Sequence, residues 1–290
     1  MQTELSSGPP GFDDMRQRLK SPREAEAAPA APGRSLARRF GGRRTVVALA
    51  AVALASAALA LGLILTAGGG GPAEPKTAAI IDQLSLTVPN PQFAEAATGT
   101  LEKAGYSVDY FPGEEVTVDF YRGLPAQGYD LILLRSHSSR LQEQWEGTTV
   151  DEVILFTSEP YSEVEYVEEQ EAGQLAIARY TEEGEPYFGI APGFITSSMR
   201  GSFDGATVVL MGCEGLSTHA TGKALQAMGA ESVISWTGLV TATHTDLATE
   251  ELVDLLVLGE LPPEEAVAQT MAKVWPDPSF GSELLLLPPD

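Results

Sequence analysis

Two short stretches decide what this chain can fold into: "DLILLRSH", ending at Ser138's neighbour His137, and "TVVLMGC", ending at Cys213. Each is a continuous apolar run of strand length without polar alternation. Runs of this kind belong to strands buried on both faces, as in parallel sheets covered by helices on either side. The flanking sequence agrees. "TAAIID" (77–82) and "YSVDYF" (106–111) read as strands, joined by a helix with Asn90 as cap, Pro91 in its first turn and Gly105 as its stop. "VTVDFYRGL" is a further helical segment, "THATGKALQAMGA" the helix after the cysteine strand and "SVISW" the next strand; "TDLATEELVDLLVLG" and "PPEEAVAQTMAKVW" are closing helices. Alternating strands and helices predict an α/β fold, a mostly parallel sheet flanked by helices on both faces. Between the two core strands, "DEVILF" and "GQLAIARYTEEGEPYFGI" predict an inserted strand and hairpin, since a structureless loop of about sixty residues is foreign to compact domains.

The N-terminal part differs in character. Residues 1–44, rich in Pro, Ala and charge, have no apolar periodicity and read as a disordered tail. Of the chain's 18 Lys/Arg and 40 Asp/Glu this tail holds nine and five, leaving nine against 35 beyond it, a formal balance of −26. That acidic remainder repels nucleic acid and favours cationic ligands. Residues 45–67, "TVVALAAVALASAALALGLILTA", carry no charge and at helical rise can cross a hydrocarbon core of about 30 Å. Arg34, Arg38, Arg39, Arg43 and Arg44 precede them, which puts the N-terminus in the cytoplasm and the acidic domain on the outer side of the cell membrane. A cleaved signal peptide is the competing reading; the length of the apolar stretch and the tail before it favour the anchor. Residues 68–76 form a Gly-rich linker, 77–275 the folded domain and 276–290 a C-terminal tail.

In open parallel sheets ligands gather outside the carboxyl ends of the strands. Asp82, His137 and Cys213 fall there, after the first, third and fourth strands. Cys213 is the one cysteine in the chain, so it has no intramolecular disulfide partner. It is either a small buried apolar residue or a reactive thiol. A thiol nucleophile needs a partner that manages protons, and histidine titrates near neutrality. The helix after Cys213 is expected to aim its positive end at the sulfur, against the acidic field of the domain. A zinc site built from the three histidines and Cys213 has no ligand spacing to support it, and no cofactor or metal is expected. His219 and His244, at helix starts, are expected to face solvent, as is the acidic run "SEVEYVEEQE".

The two motifs, with the downstream "GKALQAMGAESVISW", resemble the caspase-like cysteine peptidases, a group that includes caspases, gingipains, clostripain, separases and CHAT domains. That pattern is a strand ending in His-Gly and a later strand ending in the catalytic Cys followed by Gly; the resemblance spans residues 77–275 and is nearest to CHAT domains. It implies that Cys213 is the nucleophile, His137 the catalytic histidine, and the backbone N–H of Ser138 an oxyanion donor beside that of Cys213. Ser138 stands where the family usually has Gly, which restricts the backbone. Asp82 stands where caspases carry an arginine that receives acidic side chains, so the resemblance implies a preference for Arg or Lys. Glu214, replacing another arginine, tilts the same way; Met211 replaces a polar residue. Trp236 either lines a neighbouring subsite or is core. Arg200, in "SSMRGSF", is expected in an exposed turn as a site of self-cleavage. The expected function is a membrane-anchored, outward-facing cysteine endopeptidase that cuts peptide or protein substrates after Arg or Lys. The alternatives are a tethered CHAT-like interaction module without peptidase activity, and a structural domain with a buried thiol.

Overall fold

The computed structural model describes residues 75–145 and 148–288. The tail 1–44, the apolar segment 45–67 and most of the linker lie outside the described residues, among which no helix is long and apolar enough to cross a membrane.

Strands β1 (Thr77–Asp82), β2 (Ser107–Pro112) and β3 (Leu131–Arg135) alternate with helices α1 (Pro91–Lys103) and α2 (Val118–Gly123). The chain then leaves the main sheet for an insert: β4 (Ser138–Trp145), β5 (Thr148–Pro160), α3 (Val167–Glu171), β6 (Leu175–Arg179) and β7 (Pro186–Ile190). It returns through α4 (Pro192–Ser197), β8 (Thr207–Leu210), α5 (Ala220–Ala227), β9 (Ser232–Trp236), α6 (Ala242–Val253), α7 (Pro263–Val274) and β10 (Leu284–Leu286). The main sheet has the order β2-β1-β3-β8-β9-β10, parallel except for β10, and the insert is an antiparallel sheet of order β4-β5-β7-β6.

Register explains the unbroken apolar runs. Ile80, Leu133, Val209 and Ile234 lie in one row across four strands. They pack with Phe93 and Leu101 of α1, Ala248 and Leu252 of α6, and Val267 of α7. The preceding residues of each strand, Ala79, Ile132, Val208 and Val233, point to the opposite face and meet Tyr121 of α2, Phe194 of α4 and Leu225 of α5. Both faces are dry, so neither set is polar. Helix starts follow local chemistry: Asn90, Thr117 and Thr241 accept the N–H of Phe93, Phe120 and His244.

Three boundaries differ from the sequence expectation. β3 ends at Arg135 and β8 at Leu210, so His137 and Cys213 stand two and three residues beyond their strands. Ser138 opens β4, an edge strand whose polar sequence carries no period-two signal, and His137 is the junction between the two sheets. Of the expected tail 276–290, the described residues 276–288 belong to the fold. Leu284 pairs with Trp236 across β10 and β9, and Leu284 and Leu287 are buried on opposite faces of the sheet. Leu284 and Leu286 pack on one core and Leu287 on the other, while Leu285 is exposed. Leu284→Ala is accordingly expected to cost about 2–5 kcal/mol in chemical denaturation, whereas a tail residue would cost nothing measurable.

Candidate active site

Arg135, the last residue of β3, is fully buried. Its guanidinium donates from Nη1 to Asp82 Oδ1 (2.7 Å), from Nε to Asp246 Oδ1 (2.7 Å), and from Nη2 to Asp246 Oδ2 (2.9 Å) and the Val88 carbonyl (2.9 Å). Asp82 also accepts from the Tyr110 hydroxyl, and Asp246 from the Asn90 side chain. One cation thus fixes β1, the segment after it and α6 around the end of β3. Two residues on, the His137 backbone N–H donates to Gln83 Oε1 (3.0 Å), while Gln83 Nε2 donates to the Tyr180 hydroxyl. The imidazole is held by Thr87, whose hydroxyl is 2.9 Å from Nε2, and by the rings of Tyr180 and Phe156, centred 4.8 and 5.9 Å away. Nδ1 has no hydrogen-bond partner among the described residues. Burial first, and then the nearby charge of Arg135, lower the His137 pKa to about 4. The resting imidazole is neutral at pH 7.

Cys213 follows a glycine that cannot be replaced. A Cβ at position 212 would collide with Ser138 Oγ and the Ser136 carbonyl, so the loops after β3 and β8 are in direct contact. The Ser138 hydroxyl donates to the Cys213 carbonyl (2.5 Å), joining the residue after His137 to the cysteine itself. Gly215 is equally constrained, by Ser235 of β9. Between them Glu214 adopts φ +60°, a left-handed conformation uncommon for a residue with a side chain; its N–H donates to the Gly238 carbonyl and its Oε2 accepts from the Arg140 N–H. Cys213 is partly exposed, with its thiol directed at the Val240 carbonyl (3.5 Å). Burial, with the charges of Glu214 and Asp277, raises its pKa.

The edge of β4 supplies a donor. The Phe156 N–H donates to the His137 carbonyl, a single bond because the His137 N–H is taken by Gln83, and by strand alternation the next pair, Ser138/Leu155, is a non-bonded one. The Ser138 N–H is therefore directed away from β5. Arg140, two residues on, has the same orientation and reaches Glu214 beside the cysteine.

The structure joins Ser138, the neighbour of His137, to Cys213, and Arg140 of the same strand to Glu214, but does not gather all the expected residues. Asp82 is unavailable to a substrate: it is 1% exposed and already paired with Arg135. Trp236 is core, fully buried, with its indole N–H donating to Thr245. The helix after Cys213 does not start at the sulfur, because α5 begins seven residues later; the thiol instead meets the Val240 carbonyl in the segment that leads into α6. His219 is exposed, whereas His244 is buried and bonds the Trp275 carbonyl through Nε2. Arg200 is exposed in the irregular segment before β8, its N–H bonded to the Arg122 carbonyl. Met211 is buried in the core. Thr87 and Gln83 carry no motif, and only their place after β1 marks them. Among the described residues no cluster of His, Cys, Asp and Glu could hold a metal ion.

Two titrations check this electrostatic picture. Because the folded pKa of His137 lies below its unfolded value near 6.5, its contribution to stability is full above that value and is lost as pH falls toward about 4. The expected loss is on the order of 3 kcal/mol, absent from His137→Asn, in denaturant titrations between pH 7 and 4. Alkylation of Cys213 is expected to accelerate only above the ordinary thiol range, with no plateau near neutrality.

No protein-family model matches the chain, and no curated protein matches it. Among solved structures, that of the Arg specific cysteine proteinase gingipain R is similar, at 13% identity and a TM-score of 0.38, over 69% of this chain and 42% of that one. The chain thus spans less than half the length of that protein, and a likeness of this size speaks to neither activity nor specificity.

Proposed function

We propose that the domain is a caspase-like cysteine endopeptidase with Cys213 as nucleophile and His137 as its proton carrier. The observation that carries this reading is the contact between the two loops. Ser138 is bonded to Cys213, over a glycine that admits no side chain, at the carboxyl edge of adjacent parallel strands. In the proposed reaction Cys213 Sγ attacks the peptide carbonyl and its proton passes to Nδ1 of His137, the nitrogen left open by Thr87. The N–H groups of Ser138 and Cys213 receive the developing oxyanion. His137 then protonates the leaving amine, and water hydrolyses the thioester.

With Asp82 occupied by Arg135, preference for Arg or Lys rests on Glu214, which is partly exposed, and on the acidic field that attracts cationic peptides. Attachment through residues 45–67, with the domain outside the membrane, belongs to the proposal on sequence grounds alone. So does self-cleavage after Arg200, which requires release of its backbone bond to Arg122. A second reading, a CHAT-like binding module without turnover, is favoured by one observation: no hydrogen bond joins the Cys213 thiol to the His137 ring among the described residues.

The test is incubation of the full chain in detergent with fluorogenic peptides ending in Arg, Lys or Asp. Turnover of the Arg and Lys peptides is expected, lost in Cys213→Ala and reduced by about 100-fold or more in His137→Ala. Thiol-independent turnover, or none, removes the peptidase reading; preference for Asp removes the role of Glu214. In the same incubation, mass spectrometry is expected to find a break after Arg200 in the wild type and not in Cys213→Ala. An intact yet active chain rejects self-cleavage.

A further inference from the structure

β2 is the outermost strand of the main sheet, paired only with β1 among the described residues. The Ser107 N–H donates to the Lys76 carbonyl, so Ser107, Asp109 and Phe111 turn their backbone groups toward β1. Val108 and Tyr110 therefore present an N–H and a C=O each to the open side, and among the described residues nothing bonds them. Pro112 ends the strand with its missing donor on that same side. An unpaired edge of this kind is a template for a further strand.

Beside the edge lies a groove of about 460 Å³ between β2 and α1. Tyr110 lines it from the strand, and Ala94, Glu95, Thr98, Gly99 and Glu102 line it from one face of the helix. Another flank of α1 is engaged, since Asn90 and Thr100 bond Asp246 of α6 and Asp254 just after it; the groove face has no such partner among the described residues. Gly99 stands in the middle of α1, where glycine is the poorest helix former after proline, yet a Cβ there would meet nothing within 4 Å. No contact inside the protein requires the missing side chain. What it removes is bulk from the groove, where a second backbone can then approach. Glu95 and Glu102 are exposed, and neither has a hydrogen bond or ion pair among the described residues. They stand about 10 Å apart along the helix axis. Two lysines on one face of a strand, about 7 Å apart at their Cα atoms, reach both with their flexible stems.

We propose that the β2 edge and this groove bind an extended, Lys- or Arg-bearing segment of a protein partner, added to the sheet as a further strand. Its backbone bonds the free groups of Val108 and Tyr110, alternate side chains enter the groove over Tyr110 and Gly99, and the cationic ones meet Glu95 and Glu102. A second copy of this chain is the poorer occupant, because it would set the same carboxylates against each other in a domain with a formal balance of −26. The proposal holds with or without peptidase activity at Cys213.

The test uses the full chain carrying Cys213→Ala, in detergent, and a fluorescent eight-residue peptide of alternating Lys and Thr, with binding read by anisotropy. Saturable binding is expected, about tenfold or more tighter than that of a peptide of alternating Glu and Thr. Gly99→Leu is expected to weaken it by about tenfold or more while leaving Tm unchanged or higher, since leucine is the better helix former and the position is open. Glu95→Gln combined with Glu102→Gln is expected to weaken it by about fivefold or more at low salt. Methylating every peptide nitrogen, which keeps the charge and removes the donors, is expected to abolish binding. Glu214→Gln is expected to leave it unchanged. Absence of saturable binding, full retention in Gly99→Leu, or equal binding of the N-methylated peptide overturns the proposal. Loss of binding in Glu214→Gln overturns it as well, since the peptide would then lie beside Cys213. Self-association of the chain that is lost in Gly99→Leu, with no peptide bound, makes a second copy the occupant and rejects the basic segment.

Discussion

A single buried guanidinium organises the functional end of this molecule. Stripping Arg135, Asp82 and Asp246 of water is costly, of the order of several kcal/mol per ion, and their mutual attraction offsets it only because each polar atom has a partner. Deleting one member would strand the others in a dry core, so the three act as a unit. What the unit secures is position. It ties the segment after β1 through Val88 and Asn90, so that Thr87 reaches the imidazole of His137. It also anchors α6 through Asp246, and with it the Val240–Thr241 turn that faces Cys213. Its positive charge, added to burial, keeps His137 neutral.

The sheet was largely legible because dryness on both faces leaves short continuous apolar runs, which their length and flanking turn residues separate from buried helix. "DLILLR" and "TVVL" contain no alternation since their neighbours on either side are helices, and the position of His137 and Cys213 at one edge follows from parallel pairing. The insert was visible as a strand and hairpin but not as four strands, because β4 is a polar edge strand with no periodic signal. β10 was missed for a related reason: three residues pairing antiparallel at the end of a chain give no periodic signal.

Within the site, sequence position distinguished residues by where they stand and not by what they touch. Asp82 is at the strand end as expected, yet a partner 53 positions away, Arg135, claims its carboxylate. The same blindness left the place of Trp236 open between subsite and core. Trp236 belongs to a strand of the central sheet and so is dry on both sides, while Trp275 ends a helix whose last turn leaves it in solvent. Ser138 was read as a defect relative to Gly. In the fold the side chain at 138 fits because position 212 is a glycine.

The resting state of the pair has a chemical consequence. A raised thiol pKa opposite a lowered imidazole pKa describes two neutral groups, not a thiolate and an imidazolium. In a domain with a formal balance of −26, a standing thiolate would add to charge already in excess. On the proposed reading the proton therefore leaves sulfur as the carbonyl is attacked, and the barrier depends on what the substrate brings. Glu214 and Asp277 both contribute to holding the thiol protonated, and Asp277 is locked to its own loop. Glu214 is different, with one backbone hydrogen bond and partial exposure. A cationic side chain that paired with Glu214 would cancel its share of the penalty on thiolate at the moment the peptide bond came within reach of the sulfur. Substrate charge would then select the ligand and ease the first proton transfer through the same carboxylate.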